Sequence, residues 1–468
     1  MIAIIWFRND LRLDDNPALQ AALRAGLAPV PVYIHAPDEE GAWRPGAASD
    51  AWRHRSLAAL DAELRRRGSK LHCFRGPSAE TLREIVRATR AAALFWNRRY
   101  EPAIEERDAR IKRELRADGV RVDSFNGSLL IEPWEVQTKN GDPYRVFTPF
   151  WRMAQGQLRS PPPAVAPQSL PSCDFDLGDA PLDALELSPT IAWDAGFWAR
   201  WQPGEAGAQA ALQRFANGAA SRYRQSRDYP ADAGTSRLSP HLHFGEIAPW
   251  RVVHALSTGA EGSGENALAF ERELGWREFA HHVLHHFPHT AERNFNPRFD
   301  GFAWADVSSD TLHAWQRGRT GVPIIDAGMR ELWTTGWMHN RVRMVVASFL
   351  TKNLRAHWLA GARWFWDTLV DADLANNSLG WQWVAGTGVD AAPYVRVFNP
   401  VLQSKRFDAD GGYLAHWVPE LARLPVALRH EPWLDPQALA RLAPEYPRRP
   451  IVDLAASRNL ALQAYRLG

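Results

Sequence analysis

The densest gathering of groups able to do chemistry lies between Asp371 and Pro400, in the run DADLANNSLGWQWVAGTGVDAAPYVRVFNP. It brings together the carboxylates of Asp371 and Asp373, the amides of Asn376 and Asn377, the indoles of Trp381 and Trp383, a glycine-rich turn and Arg396. Unpaired polar groups are expensive to bury. A segment that only filled a core would not set so many of them beside two of the largest side chains. A large partner with an aromatic body and polar edges resolves the conflict, and a flavin is such a partner.

Three further segments carry candidate chemistry. Tyr223, followed by GTSRLSP at Gly234–Pro240, puts small hydroxyl residues after a glycine and before a helical pattern. Backbone N–H groups and hydroxyls so placed can meet a phosphate, although the same residues serve as an ordinary helix cap. In ELGWREF, Glu273 and Trp276 stand three apart and so share one helix face. They offer a nucleobase a hydrogen-bonding carboxylate and a stacking surface; an exposed Glu beside a core Trp has the same spacing. GWMHNRVRM sends Arg341 and Arg343 to different sides of one helix. Arg227, in YRQSRDYP, and Arg396 are candidate contacts to a phosphate backbone, which fix register without reading sequence. With 22 Trp against 9 Tyr, most indoles must be packing residues. Trp304, Trp358 and Trp381 nevertheless form a set that could relay electrons, while Trp315, Trp333, Trp364 and Trp366 read as structural.

These groups need elements to hold them. The first part of the chain alternates apolar runs at Ile2–Phe7, Pro29–Ile34, Lys70–Phe74, Ala92–Trp96 and Val120–Phe125 with helical patterns near Pro17–Ala25, Asp50–Arg67, Ser78–Ala88 and Ala103–Ala117. That alternation predicts a doubly wound parallel sheet. Its first turn, RNDLRLDDNP, has neither GxGxxG nor a phosphate loop, so a flavin should sit elsewhere. The stretch SPPPAVAPQSLP, from Ser160, is stiff and extended. Later patterns are helical: Ala206–Phe215, Asn266–His286, Thr311–Arg317, Ala327–Thr335, Arg341–Leu354 and Ala362–Leu369. The expected organisation is an α/β domain over 1–130, a connector over 131–204 and an all-helical domain over 205–468.

Composition excludes little by itself. The 468 residues exceed one ordinary core. Cys73 and Cys173 have no metal-ligand spacing, and so few cysteines fit a reducing cytoplasm. Neither a secretory signal nor a membrane span is read from the pattern. A net charge of +2 is too small to argue for nucleic acid unless a basic face is local.

Taken together, these motifs resemble the photolyase/cryptochrome family over nearly the whole chain, most closely the cyclobutane pyrimidine dimer photolyases. The resemblance implies FAD in the helical domain. Tyr223, Thr235, Ser236, Leu238 and Ser239 match residues that hold its pyrophosphate. Arg343 matches one that pairs with Asp371 beside the flavin, and Asp371 and Asp373 match residues along the isoalloxazine edge and ribityl chain. Asn377 matches the side chain facing flavin N5, where plant cryptochromes carry Asp. Glu273, Trp276, Asn340, Arg341, Met344 and Trp383 match the lesion side, with Arg227 and Arg396 at its rim. The pair His339–Asn340 favours the cyclobutane dimer, because (6-4) photolyases have a second His at the position of Asn340. Trp381, Trp358 and Trp304 match the electron relay from flavin to surface.

The activity so implied is light-driven repair of pyrimidine dimers in DNA by a monomer. A cryptochrome-type photoreceptor is the alternative, and a helical nucleic-acid module without a cofactor is a third reading. Family members often carry an antenna as well, methenyltetrahydrofolate or a deazaflavin, so the resemblance leaves room for a second chromophore of either kind. The segment RRYEPAIEERD lacks the Asn–Glu pair of one folate-binding mode.

Overall fold

Unbroken apolar runs suit strands buried on both faces. The computed structural model of the chain, which describes residues 1–158, 161–171, 175–258 and 264–467, forms all five: β1 (Ile2–Phe7), β2 (Ala28–His35), β3 (His72–Arg75), β4 (Ala93–Asn97) and β5 (Arg121–Phe125). They pair in parallel in the order β3-β2-β1-β4-β5, and Ile4 lies between Val30 and Leu94. Helices α1 (Pro17–Arg24), α2 (Ala47–Arg66), α3 (Ser78–Thr89) and α4 (Pro102–Ala117) alternate with the strands. Trp6, Val32 and Trp96 of the sheet share one apolar cluster with Leu82 and Ile85 of α3 and Ile111 and Leu115 of α4.

A doubly wound sheet takes its ligand at the carboxyl ends of the strands where the order reverses, here between β1 and β4. Around Arg8 this chain fills that crevice with its own polar side chains. Arg8 donates to Asp108 and to the Asn97 carbonyl. Asn97 Nδ2 donates to Asp10 at 2.7 Å, and Asp10 also accepts the Arg8 amide at 2.6 Å. The cavity left beside Trp6, Arg8, Arg99 and Arg107 is about 20 Å³, room for a water molecule rather than for a ring system.

Among the described residues, no strand follows β5. The helices that matter below are α5 (Phe147–Ala154), α6 (Glu205–Ala216), α7 (Pro249–Thr258), α8 (Glu265–His286), α9 (Ser309–Gln316), α10 (Pro323–Thr335), α11 (Asn340–Ser348), α12 (Trp358–Thr368), α13 (Leu374–Ala385), α14 (Pro400–Phe407) and α15 (Leu454–Leu467). The pattern over Arg341–Leu354 predicted one helix; α11 instead passes into a π turn at Phe349–Asn353. In that wider turn Lys352 is fully buried. Its Nζ donates to the Ala385 carbonyl at 2.6 Å and lies 3.3 Å over the Tyr394 ring. Burial pushes its pKa well below the usual lysine value. The amine thereby satisfies the last carbonyl of α13, one of the groups a helix end leaves without an internal partner.

The chain packs as two compact units. One comprises Met1–Tyr144, Thr148–Ser221 and Ser236–His286, the other Arg145–Phe147, Arg222–Thr235 and Phe287–Gly468. Sheet, α5 from Thr148 onward, α6, α7 and α8 belong to the first, and α9 to α15 to the second. Cys73 is a buried free thiol; Cys173, and Ser160 at the head of the proline-rich stretch, lie outside the described residues. No described helix is long and apolar enough to cross a membrane.

Candidate functional site

In the second unit the site is built on α11, α12 and α13. His339 caps α11, its Nδ1 accepting the Arg341 amide at 3.2 Å. The His339 amide in turn donates to Glu331 of α10, which also accepts from Tyr413. The cap makes exposed Asn340 the first residue of α11 and aims Arg341 and Arg343 apart. Arg343 Nη2 binds both oxygens of Asp371, at 3.0 and 2.8 Å, while its Nε donates to the Met338 carbonyl at 2.7 Å. Asp371 is nearly enclosed and Arg343 about one quarter exposed, so the pair is a neutral wall with guanidinium edge to spare.

Asp373 caps α13. Its Oδ1 accepts the Asn376 amide at 2.9 Å and Asn376 Nδ2 at 2.7 Å. One turn on, Asn377 Nδ2 donates to the Ala362 carbonyl of α12 at 2.9 Å. That bond fixes which way the amide faces and leaves Oδ1 without a donor among the described residues. Trp381, nearly fully buried, lies against α12 where Gly361 permits it; a Cβ at Gly361 would overlap the indole. Trp383 on the same helix is half-buried.

The structure does not link Trp381, Trp358 and Trp304, the three indoles expected to relay electrons, ring to ring. Trp381 contacts Phe365 at 5.0 Å and Trp315 at 6.3 Å. Trp358 donates Nε1 to Asn294 at 3.0 Å and stacks on His357 at 5.7 Å, and His357 meets Trp304 at 5.2 Å. Trp333 and Trp364, read as structural, stack at 6.1 Å with Trp333 exposed. Asn294, His357 and Trp315 thus adjoin the indoles expected to relay electrons, and no spacing in the sequence ties them to that set.

Tyr223 and Thr235 also belong to the second unit, and the Arg227 guanidinium lies 5.2 Å over the Tyr223 ring. Arg341 departs from expectation. It pairs with Asp228 at 2.9 Å, and the half-buried Met344 contacts it through sulfur at 3.9 Å. Asp228 stands beside Arg227 in YRQSRDYP, a visible signal of a charge partner, but its choice of Arg341 is tertiary. Arg396 is exposed, 5.7 Å over Phe398.

The first unit holds Ser236, Leu238, Ser239, Glu273 and Trp276. Ser236 Oγ accepts the Leu238 amide at 3.3 Å, and Leu238 is buried where the short helix Ser239–His243 begins. Glu273 and Trp276 are half-buried on α8. Gly275 between them lets α8 press on Trp151, whose ring a Cβ would overlap. Two residues beyond Trp276, the buried Glu278 accepts the Leu130 and Ile131 amides at 2.8 and 3.2 Å. Burial pushes its carboxyl up to about 7.

The residues fit FAD. A carbonyl oxygen at Asn377 with no protein donor suits a ring N–H, and the spare edge of Arg343, neutralised by Asp371, suits the carbonyls of an isoalloxazine. Hydroxyls at Thr235 and Ser236 suit phosphate oxygens. No described cluster of His, Cys, Asp or Glu is arranged to hold a metal.

Comparison with known proteins agrees with this chemistry. A family model described as DNA photolyase matches residues 3–168, and one described as the FAD binding domain of DNA photolyase matches 270–467. The chain is 46% identical to a deoxyribodipyrimidine photo-lyase of Agrobacterium fabrum, over 99% of this chain and 97% of that one. It is 40% identical to cryptochrome-1 of Arabidopsis thaliana, over 94% of this chain and 66% of that protein. The crystal structure of a bacterial class III photolyase from Agrobacterium tumefaciens superposes with a TM-score of 0.95 at 45% identity, covering 100% of this chain and 97% of that one. With an FAD-binding half, a parallel-sheet half and relatives matched from end to end, this chain belongs to the DNA photolyase and cryptochrome family.

Proposed function

We propose that the protein repairs cyclobutane pyrimidine dimers in DNA under light. The observation that carries this reading is the Asn377 amide, tied by Nδ2 to the Ala362 carbonyl so that its oxygen is left without a donor among the described residues. When bound, reduced FAD supplies on excitation the electron that opens the cyclobutane ring and recovers it afterwards. The chain's own residues do the rest. Asn377 accepts from the ring N–H and so favours the reduced cofactor, while Arg343 orients it. Crosslinked pyrimidines stack and pair poorly, so flipping them out of the duplex costs less than flipping intact bases. Glu273 bonds the base edge of the flipped pair, and Trp276 and Trp383 supply flat apolar contact. Arg227, Arg341 and Arg396 hold flanking phosphates, contacts that accept any sequence. Trp381, Trp358 and Trp304 pass electrons inward when the cofactor must be reduced.

The test uses FAD-loaded protein with its flavin reduced and an oligonucleotide containing one thymine dimer. Dimer reversal in blue light and none in darkness is the expected result. Dark binding without illuminated reversal would overturn the repair reading and leave a photoreceptor, the alternative that the cryptochrome relative keeps open.

An antenna group, by the same reading, lies away from the part of the sheet crevice that the Arg8 network fills. A groove of about 510 Å³ in the first unit, lined by His54, Arg55, Trp198 and Trp201, has the size and the flat indole surfaces for a pterin such as methenyltetrahydrofolate. The Arg55 guanidinium lies 4.1 Å over Trp198 there. Loss of the extracted pigment band on Trp198→Ala, with FAD retained, is the expected result.

A further inference from the structure

Arg341 is engaged before any DNA arrives. Its Nη2 lies 2.9 Å from Asp228, its guanidinium carbon 4.6 Å over the Phe407 ring, and its Nε is buried with no acceptor among the described residues. The same Asp228 carboxylate lies 4.0 Å from Arg227 Nε. Tyr229, the next residue, packs on the edge of Phe407 at 6.1 Å, so one aromatic ring supports both sides of the Asp228–Arg341 pair. One carboxylate therefore faces both of the arginines read as phosphate contacts on this part of the second unit.

A carboxylate and a phosphate compete for the same guanidinium donors. The Asp228 side chain is 36% exposed and that of Arg341 22%, and an ion pair of such exposure is weak enough to exchange. On intact duplex, a phosphate reaching Arg341 only replaces the charge already there, and the net gain is small. With a damaged dinucleotide inserted, the flanking phosphate is delivered at high effective concentration and displaces Asp228. We propose that Asp228 is a built-in competing anion that holds Arg341 and Arg227 back from DNA phosphates until a bound duplex displaces it, and so lowers affinity for DNA. This inference rests on the DNA-repair reading above.

The experiment is dark fluorescence anisotropy with the FAD-loaded protein and two duplexes of one sequence, with and without a thymine dimer, across a salt series. Asp228→Asn should raise affinity for the undamaged duplex about three- to tenfold and steepen its log–log salt slope by about one. The damaged duplex, which has to displace Asp228, should gain at least as much, and Asp228→Glu should behave as the wild type. Arg341→Gln alone should cost the damaged duplex more than the undamaged one, and should shrink the effect of Asp228→Asn when the two are combined. An unchanged or lowered affinity of Asp228→Asn for undamaged duplex would overturn the proposal, since Asp228 would then only hold Arg341 in place. No loss on either duplex in Arg341→Gln would overturn it as well, and that arm stands even where Asp228→Asn folds poorly. A wild type with no preference for the dimer would instead bring down the repair reading itself.

Discussion

Trp381 meets the backbone of α12 only because residue 361 has no side chain. Gly361→Ala would have to move the indole or part the two helices, an overpacking that costs about 1–3 kcal/mol. A lower melting temperature together with slower photoreduction of bound FAD is the expected outcome; an unchanged melt would mean that α12 yields freely. Trp381→Phe keeps the packing but removes the readily oxidised ring. It should slow photoreduction of oxidised flavin and spare repair by enzyme reduced beforehand, and transient absorption would resolve both. Glu273→Ala should weaken dimer repair with FAD content intact, whereas loss of FAD would place that carboxylate on the cofactor instead. At this scale the sequence reveals residue types well and partners poorly. Arg343 and Asp371, 28 positions apart, are legible as a pair through the family motif. That Asn377 hangs on a carbonyl of α12, or that Asp228 reaches Arg341 as well as its neighbour Arg227, depends on chain crossings that no local spacing encodes.

Among the elements, α8 shows how a helix is pinned so that the face carrying Glu273 and Trp276 stays put. Arg277 donates to the Ser128 carbonyl at 2.8 Å, Glu278 accepts two amides of the same loop, and the His282 ring nitrogen meets the Pro133 carbonyl at 2.9 Å. Glu278 makes this joint sensitive to pH. Burial raises its carboxyl to about 7, whereas an unfolded glutamate titrates near about 4.3. Below both values the group is protonated in either state and has no effect. Between them the unfolded chain releases the proton and the folded chain keeps it, so stability falls as pH rises. Glu278→Gln retains an acceptor for the loop amides without the charge. Relative to wild type it should gain on the order of 1.4 kcal/mol per pH unit across that window. A melting-temperature difference that moves in its favour from pH 5 to pH 8 is expected; a constant difference would show the carboxylate ionised throughout. The five strands were legible because burial on both faces writes an unbroken apolar run. Helix α13 was not, because it is enclosed on most sides and shows no apolar stripe, and the π turn at Phe349–Asn353 breaks a periodicity that continues through it.

For the whole molecule, a net charge of +2 means that attraction to DNA must come from local arrangement rather than from bulk charge. The arginines argued to meet phosphate, Arg227, Arg341 and Arg396, all belong to the second unit. Exposed Arg406, its guanidinium 5.2 Å over the same Phe407 ring that supports Arg341, joins them there. Each phosphate neutralised on duplex DNA contributes about −0.9 to the slope of log affinity against log salt. A set of this size predicts a slope of roughly −3 to −4 for dimer-containing duplex, far shallower than that of a protein tracking a long basic groove. Measured between about 50 and 200 mM salt, a slope two or three times steeper would reveal a cationic footprint well beyond these residues. A slope near zero would mean that contacts other than those to phosphate supply the affinity.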